Sequence, residues 1–222
     1  MELDFWQQRW HENQTGFHLS DVNPCLLKYW PLFGGEGLDE NKPATVFVPL
    51  CGKSLDLIWL ASQSYSVIGV ECSEKAVDAF FSEQSLSVQK EKSENFNIYK
   101  SEQIKLFQGD FFQLSKHHLA SVSAVYDRAS LVALPEAMRR RYVKHLAAIL
   151  PASVSILLVT LEYDQALMAG PPFSLSETEV EQLYGSDFEI ELLCREDIID
   201  EQARFKERGL RYMFERVFKI SR

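Results

Sequence analysis

Residues 46–60 read VFVPLCGKSLDLIWL. An apolar run ends at Leu50, Gly52-Lys53-Ser54 follows, and an apolar segment with helical spacing begins at once. That order is strand, tight turn, helix. Gly-Lys-Ser is how a triphosphate-binding loop ends, but such a loop requires G-x-x-x-x-G-K-[ST]. Its first glycine would fall at position 47, which is Phe47. Pro49, Leu50 and Cys51 alone separate the strand from Gly52, too short a span to wrap a triphosphate. The dinucleotide fingerprint G-x-G-x-x-G also fails, because Gly52 stands alone. What survives is the geometry both motifs share. A tight turn exposes backbone at the carboxyl end of a strand, where open α/β sheets bind ligands, and Gly52 lets that backbone approach one closely.

Outward from this turn the grammar repeats. YSVIGVE reads as a strand, SEKAVDAFFSEQ as a helix with a serine N-cap, and IKLFQGDF as a strand preceded by a short extended piece at FNIYK. VSAVYDRAS is a strand, PEAMRRRYVKHLAAIL a helix opened by proline, and ASVSILLVTLEYD a strand. SETEVEQLYG opens on a capping box and closes on glycine. FEIELLCRE and YMFERVFKI are late strands with no helix between them. Strands alternating with helices predict a mainly parallel seven-stranded sheet, with an antiparallel pair at its C-terminal edge. Residues 1–40 form a separate aromatic-rich segment holding two short helices, then a turn at FGGEGLDENKPA; residues 44–222 form the core. The 222 residues suggest one domain.

Composition narrows the function. Acidic residues number 32 against 23 basic, a net charge of −9, which argues against a nucleic-acid substrate. Arg139-Arg140-Arg141 is too short a run to change that and is expected on a solvated helix face. No stretch approaches a membrane span. The opening MELDFWQQRWHENQ lacks the order of an export signal, and the four cysteines are dispersed. Both point to a cytoplasmic protein with reduced thiols. No three residues have metal-ligand spacing, and His117-His118 reads as a surface pair.

Candidate site residues sit at strand ends. Glu71 closes the second strand, 21 positions beyond Leu50. A carboxylate there accepts hydrogen bonds from ribose hydroxyls, or is merely an exposed strand end. Asp110-Phe111 after the third strand can meet the edge and face of an adenine, or form a plain turn. Asp127-Arg128 after the fourth lines a wet cleft or makes a structural ion pair, since a buried unpaired charge is costly. Together these features favour a nucleoside ligand without pyrophosphate, and S-adenosylmethionine is the common one on such a fold. Its sulfonium suits aromatic faces. Trp6 and Trp10 can supply them, or can pack an amphipathic helix.

FWQQRW, GFH, VFVPLCGKSLDLIWLA, VIGVE, YDRASLVALP, GPPFSL and MFERVF carry a resemblance over nearly the whole chain. The sequence resembles the bacterial-type members of the thiopurine S-methyltransferase family. That resemblance implies the Rossmann-like class I fold of S-adenosylmethionine-dependent methyltransferases, with residues 1–40 as a helical lid. It implies Trp10, Leu50, Glu71 and Arg128 as cofactor-binding residues, with Trp6 and the segment to Phe17 closing over the cofactor and Gly52 in its turn. Asp110 and Phe111 match positions that meet adenine; Phe17 and Arg204 match positions near the substrate, with Arg128 close by. The implied reaction is methyl transfer to a small aromatic or heterocyclic thiol, with S-adenosylhomocysteine as product, by a monomer.

A thiol that arrives ionised needs positioning and desolvation rather than a base. This fits a chain without a Ser-His-Asp or Cys-His set, in which Cys51 reads as a small turn residue. Arg128 or Arg204 can stabilise the thiolate. Were a base needed, Asp127 is the first candidate. The competing readings are an NAD-dependent oxidoreductase and a non-catalytic nucleotide-binding protein on the same fold.

Overall fold

The computed structural model describes residues 3–33 and 44–222. The turn expected at FGGEGLDENKPA lies, apart from its two end residues, outside the described residues. Two helices lead: α1 (Leu3–His11) and α2 (Pro24–Tyr29), the latter capped by Asn23, whose side chain accepts from the N–H groups of Cys25 and Leu26.

The core then alternates: β1 (Thr45–Val48), α3 (Asp56–Ser62), β2 (Ser66–Glu71), α4 (Glu74–Glu83), β3 (Gln89–Lys92), β4 (Asn97–Ser101) and β5 (Ile104–Gln108). It continues with β6 (Val122–Arg128), α5 (Glu136–Ile149), β7 (Ser155–Glu162), α6 (Glu177–Tyr184), β8 (Glu189–Asp197), α7 (Ala203–Lys206) and β9 (Phe214–Ser221). One sheet runs β3-β4-β5-β2-β1-β6-β7-β9-β8. Strands β5, β2, β1, β6 and β7 are parallel; β9 enters antiparallel to β7, and β8 pairs antiparallel with β9.

The seven expected strands are present, with the antiparallel pair where it was read. The sheet nevertheless has nine, because β3 and β4 form an antiparallel hairpin beyond β5. FNIYK is therefore a full strand. QKEK of β3 is exposed along its length, so it carries no hydrophobic alternation from which a strand can be read.

Alternation across the sheet makes two cores. Phe47, Ile68, Val125, Ile156 and Leu158 face α5 and α6, while Val46, Val48, Ala124, Leu157 and Val159 face α2, α3 and α4. Helices thus cover both faces, and parallel strands buried on both sides read as continuous apolar runs. Ser73 caps α4 through the N–H of Ala76, and Ser176 caps α6 through that of Glu179. The expected capping box on α6 is only half formed, because the Glu179 carboxylate pairs with Arg139 instead. That pairing also corrects the solvated-face reading of the arginine run. Arg140 and Arg141 are exposed, but Arg139 is buried against Glu179 and the Leu134 carbonyl.

Candidate functional site

A cleft of about 450 Å³ opens at the carboxyl ends of β1, β2 and β6, between α1 and the α7 region. Its floor is the turn after β1. Leu50 has φ +45° and Gly52 φ +54°. A Cβ on Gly52 would lie 2.9 Å from the Trp10 ring, so only glycine lets that ring reach the turn. Ser130, fully buried, donates from Oγ to the Pro49 carbonyl at 3.0 Å and ties the end of β6 to this turn.

Glu71 is buried at the end of β2. Its Oε2 accepts from the N–H of Gly52 at 2.9 Å, and its Oε1 from the N–H of Ser73 at 2.8 Å. Burial pushes the carboxyl above its ordinary range, and the N–H groups of Ser73 and Gly52 oppose the shift. Both oxygens are therefore fixed, and each can accept further hydrogen bonds. Cys51 and Cys72 share the cleft. Burial, with the Glu71 carboxylate next, pushes both thiols up, so neither is an ionised nucleophile.

The leading segment lies over this floor. Trp10 is 4% exposed and meets Phe17 edge-on at 5.4 Å; Trp6 meets Phe17 at 5.7 Å. The Arg128 guanidinium reaches the Phe17 carbonyl at 3.5 Å. Arg204 lies over the Phe205 ring at 4.4 Å and comes close to Gly16. The structure thus brings Trp6, Trp10, Phe17, Leu50, Gly52, Glu71, Arg128 and Arg204 to one cleft.

Asp110 and Phe111 do not line it. Asp110 caps a short turn through the N–H of Phe112, and Phe111 is buried in the core, stacked on Tyr142 at 4.7 Å. Asp127 and Arg128 also part company. Successive strand residues point to opposite faces, so Arg128 enters the cleft while Asp127 is wholly buried and accepts from the Tyr142 hydroxyl at 2.7 Å. Neither reading of them as a pair survives, and Asp127 does not line the cleft as a base would. Burial pushes its carboxyl up to about 6.

Several cleft residues escaped the sequence reading. Arg9 and His18 lie within FWQQRW and GFH, where the aromatics drew the attention. Burial, then Lys53, push the His18 imidazole down, so it is neutral near pH 7. Pro171 and Pro172 of the GPPFSL stretch line the opposite wall. Arg208 gave no signal, since a basic residue in a polar loop looks like any solvated one.

The residues fit S-adenosylmethionine. Glu71 presents fixed acceptors at a strand end, the Gly52 turn has no room for a Cβ, and no glycine-rich cradle for pyrophosphate accompanies them. Among solved structures, the fold matches magnesium protoporphyrin IX methyltransferase from Synechocystis PCC 6803 with bound S-adenosylmethionine. The TM-score is 0.59 at 16% identity, covering 99% of this chain and 96% of that one. It also matches 1,6-didemethyltoxoflavin-N1-methyltransferase of Burkholderia thailandensis, TM-score 0.62 at 12% identity, covering 99% and 87%. Sheet order and cleft are those of the class I S-adenosylmethionine-dependent methyltransferase fold.

The family model for thiopurine S-methyltransferase matches residues 1–222. A thiopurine S-methyltransferase of Pseudomonas fluorescens (strain Pf0-1) is 46% identical, covering 99% of each chain. That of Nitrosospira multiformis is 48% identical, covering 99% of this chain and 98% of its own. The chain belongs to the thiopurine S-methyltransferase family.

Proposed function

We propose that this chain moves the methyl group of S-adenosylmethionine to the sulfur of small aromatic or heterocyclic thiols, thiopurines among them. The observation that carries the reading is Glu71, fixed by the Gly52 turn on the floor of a cleft roofed by Trp6, Trp10 and Phe17. When bound, S-adenosylmethionine supplies an electrophilic methyl on a sulfonium. A thiolate lone pair forms the new sulfur–carbon bond, and the pair of the broken bond stays on the departing sulfur, leaving two neutral thioethers.

The protein's part is to hold and to dry. Glu71 takes the ribose hydroxyls, and the backbone of Leu50 and Gly52 lies against the cofactor. The Trp10 face suits a cationic sulfur. The lid excludes water, which strips the thiolate of competing hydration. Arg128 and Arg204 hold the anion without taking its proton. Asp110, two residues beyond β5 and near enough to Cys72 of the cleft for its charge to be felt there, takes the adenine edge; Phe111 in the core has no such access. Calorimetric titration with S-adenosylmethionine and with NAD tests the cofactor. A methyl-transfer screen across thiols, selenols and tellurite tests the acceptor. Tight binding of NAD alone would return the oxidoreductase reading, and binding of S-adenosylmethionine with no turnover on any acceptor would favour the non-catalytic one.

A further inference from the structure

The turn after β1 is held from two sides. Toward β2, Cys51 donates its N–H to the Val70 carbonyl at 3.0 Å, and Gly52 donates to Glu71 at 2.9 Å. Toward β6, the tie is the Ser130 hydroxyl, which donates to the Pro49 carbonyl at 3.0 Å across 81 residues of sequence. Both ends of that tie are strained. The Pro49 carbonyl belongs to the peptide unit that enters Leu50, at φ +45°, and Ser130 follows Ala129, at φ +62°. Neither residue is glycine, and a side chain resists that conformation. Such residues persist where their surroundings fix them.

The Ser130 proton has a competing use. Ser130 and Asp127 are both fully buried. Burial raises the Asp127 carboxyl, and the Tyr142 and Ser130 hydroxyls oppose the shift, so both hydroxyls stand close to it. Tyr142 donates to Oδ2 at 2.7 Å. The buried Oδ1 has no hydrogen-bond partner among the described residues. A serine hydroxyl has one proton to give. Directed at Asp127, it would relieve a buried carboxylate oxygen whose lack of a partner is costly. It goes instead to a backbone carbonyl of the turn. Two residues before Ser130, Arg128 enters the cleft, so the same bond sets that guanidinium against the turn. Ser130 itself does not line the cleft.

We propose that Ser130 is a positioning residue for S-adenosylmethionine: its bond to Pro49 holds Leu50 and Gly52 in the shape on which the cofactor lies, and keeps Arg128 in register with them. This rests on the reading of the turn as the cofactor floor.

The test is Ser130→Ala in the full chain, with Gly52→Ala beside it. Affinity for S-adenosylmethionine is read by calorimetry, and turnover with benzenethiol. Loss of one hydrogen bond that shapes the turn predicts Kd and KM for S-adenosylmethionine raised about threefold to tenfold. At saturating cofactor, kcat and the KM for the thiol should stay within about twofold. A merely structural role has the opposite signature, since unfolded molecules lower kcat per mole of chain and leave the constants of the folded ones alone. Rescue gives a second readout. Glycine takes a positive φ without strain, so Ala129→Gly should lessen the need for the tie. In that background Ser130→Ala should raise Kd by about twofold or less. Unaltered cofactor affinity in Ser130→Ala, with affinity lost in Gly52→Ala, overturns the role of Ser130 and leaves the floor standing. Unaltered affinity in both variants removes the cofactor from this floor, and the proposal with it. A loss undiminished by Ala129→Gly also overturns the proposal.

Discussion

The N–H of Gly52 donates to Oε2 of Glu71 at 2.9 Å, across 19 residues of sequence. The bond joins the turn after β1 to the end of β2. It fixes the one carboxylate proposed to hold the ribose against the one turn proposed to lie beneath the cofactor, so a change at either residue should be felt at both.

Glu71→Gln should weaken S-adenosylmethionine by about tenfold to a hundredfold, the loss of hydrogen bonds to a charged acceptor. It should also cost the apo protein about 1–3 kcal/mol, because the new amide turns an NH2 toward the N–H of Gly52 or Ser73. Calorimetry reads the first effect and urea unfolding the second. An unchanged dissociation constant removes Glu71 from the cofactor site.

Gly52→Ala should be harmful for two reasons. It places a Cβ 2.9 Å from the Trp10 ring, and it forces a side chain onto φ +54°, a conformation costing about 1–2 kcal/mol for a residue other than glycine. Tryptophan fluorescence should report displacement of the ring, and cofactor affinity should fall with it. Wild-type affinity with unchanged fluorescence would show that the lid does not need the close approach.

The leading segment is latched as well as packed. Lys75 donates to the His11 carbonyl at 3.2 Å and to the Asn13 side chain at 3.0 Å, holding the end of α1 to α4. Lys75→Met should speed limited proteolysis within the leading segment, modestly, since an exposed contact contributes about 0–1 kcal/mol. S-adenosylhomocysteine should slow the cleavage in both proteins if the segment closes over ligand. Cleavage rates indifferent to ligand would count against a lid.

Much of this site was legible before the structure. Glu71 and Gly52 were, because a strand end and a tight turn leave marks in apolar periodicity. Other parts were not. An acidic residue followed by an aromatic reads alike whether the ring faces ligand or core, and Phe111 faces core. Asp127 and Arg128 are neighbours in sequence, yet strand alternation sends them to opposite faces. Strand β3 has no apolar residue to announce it, and Arg208 acquires meaning only once α7 is folded against the cleft.

Asp127 should set a pH dependence of stability. Burial holds its native carboxyl at about 6, against 3.8 ordinarily. Between those values the native chain keeps a proton that the unfolded chain releases, so the stabilisation is full below the ordinary value and is lost as pH rises through about 6. Asp127→Asn has no such proton. Its stability relative to the unaltered chain should therefore improve by about 1–3 kcal/mol between pH 4 and pH 7, read by urea unfolding across that range. A difference that stays flat with pH would mean Asp127 ionises normally in its core.

Methyl transfer should show no protein base. For two aromatic thiols whose pKa values differ by about one unit, the midpoints of the pH–rate profiles should differ likewise. Midpoints that coincide would mean a protein group takes the proton. His18, neutral and in the cleft, would then be the first candidate, since Asp127 lies in the core.

The central claim, methyl transfer to sulfur, is tested most directly by following the methyl carbon itself. The full chain is incubated with benzenethiol or 4-mercaptobenzoate and S-adenosylmethionine labelled with carbon-13 in the methyl group. Carbon NMR and mass spectrometry then locate the label. The account predicts a labelled aryl methyl thioether, formed one for one with S-adenosylhomocysteine. Label on the carboxylate oxygen, or no labelled thioether from either thiol under conditions where the cofactor is bound, would contradict it.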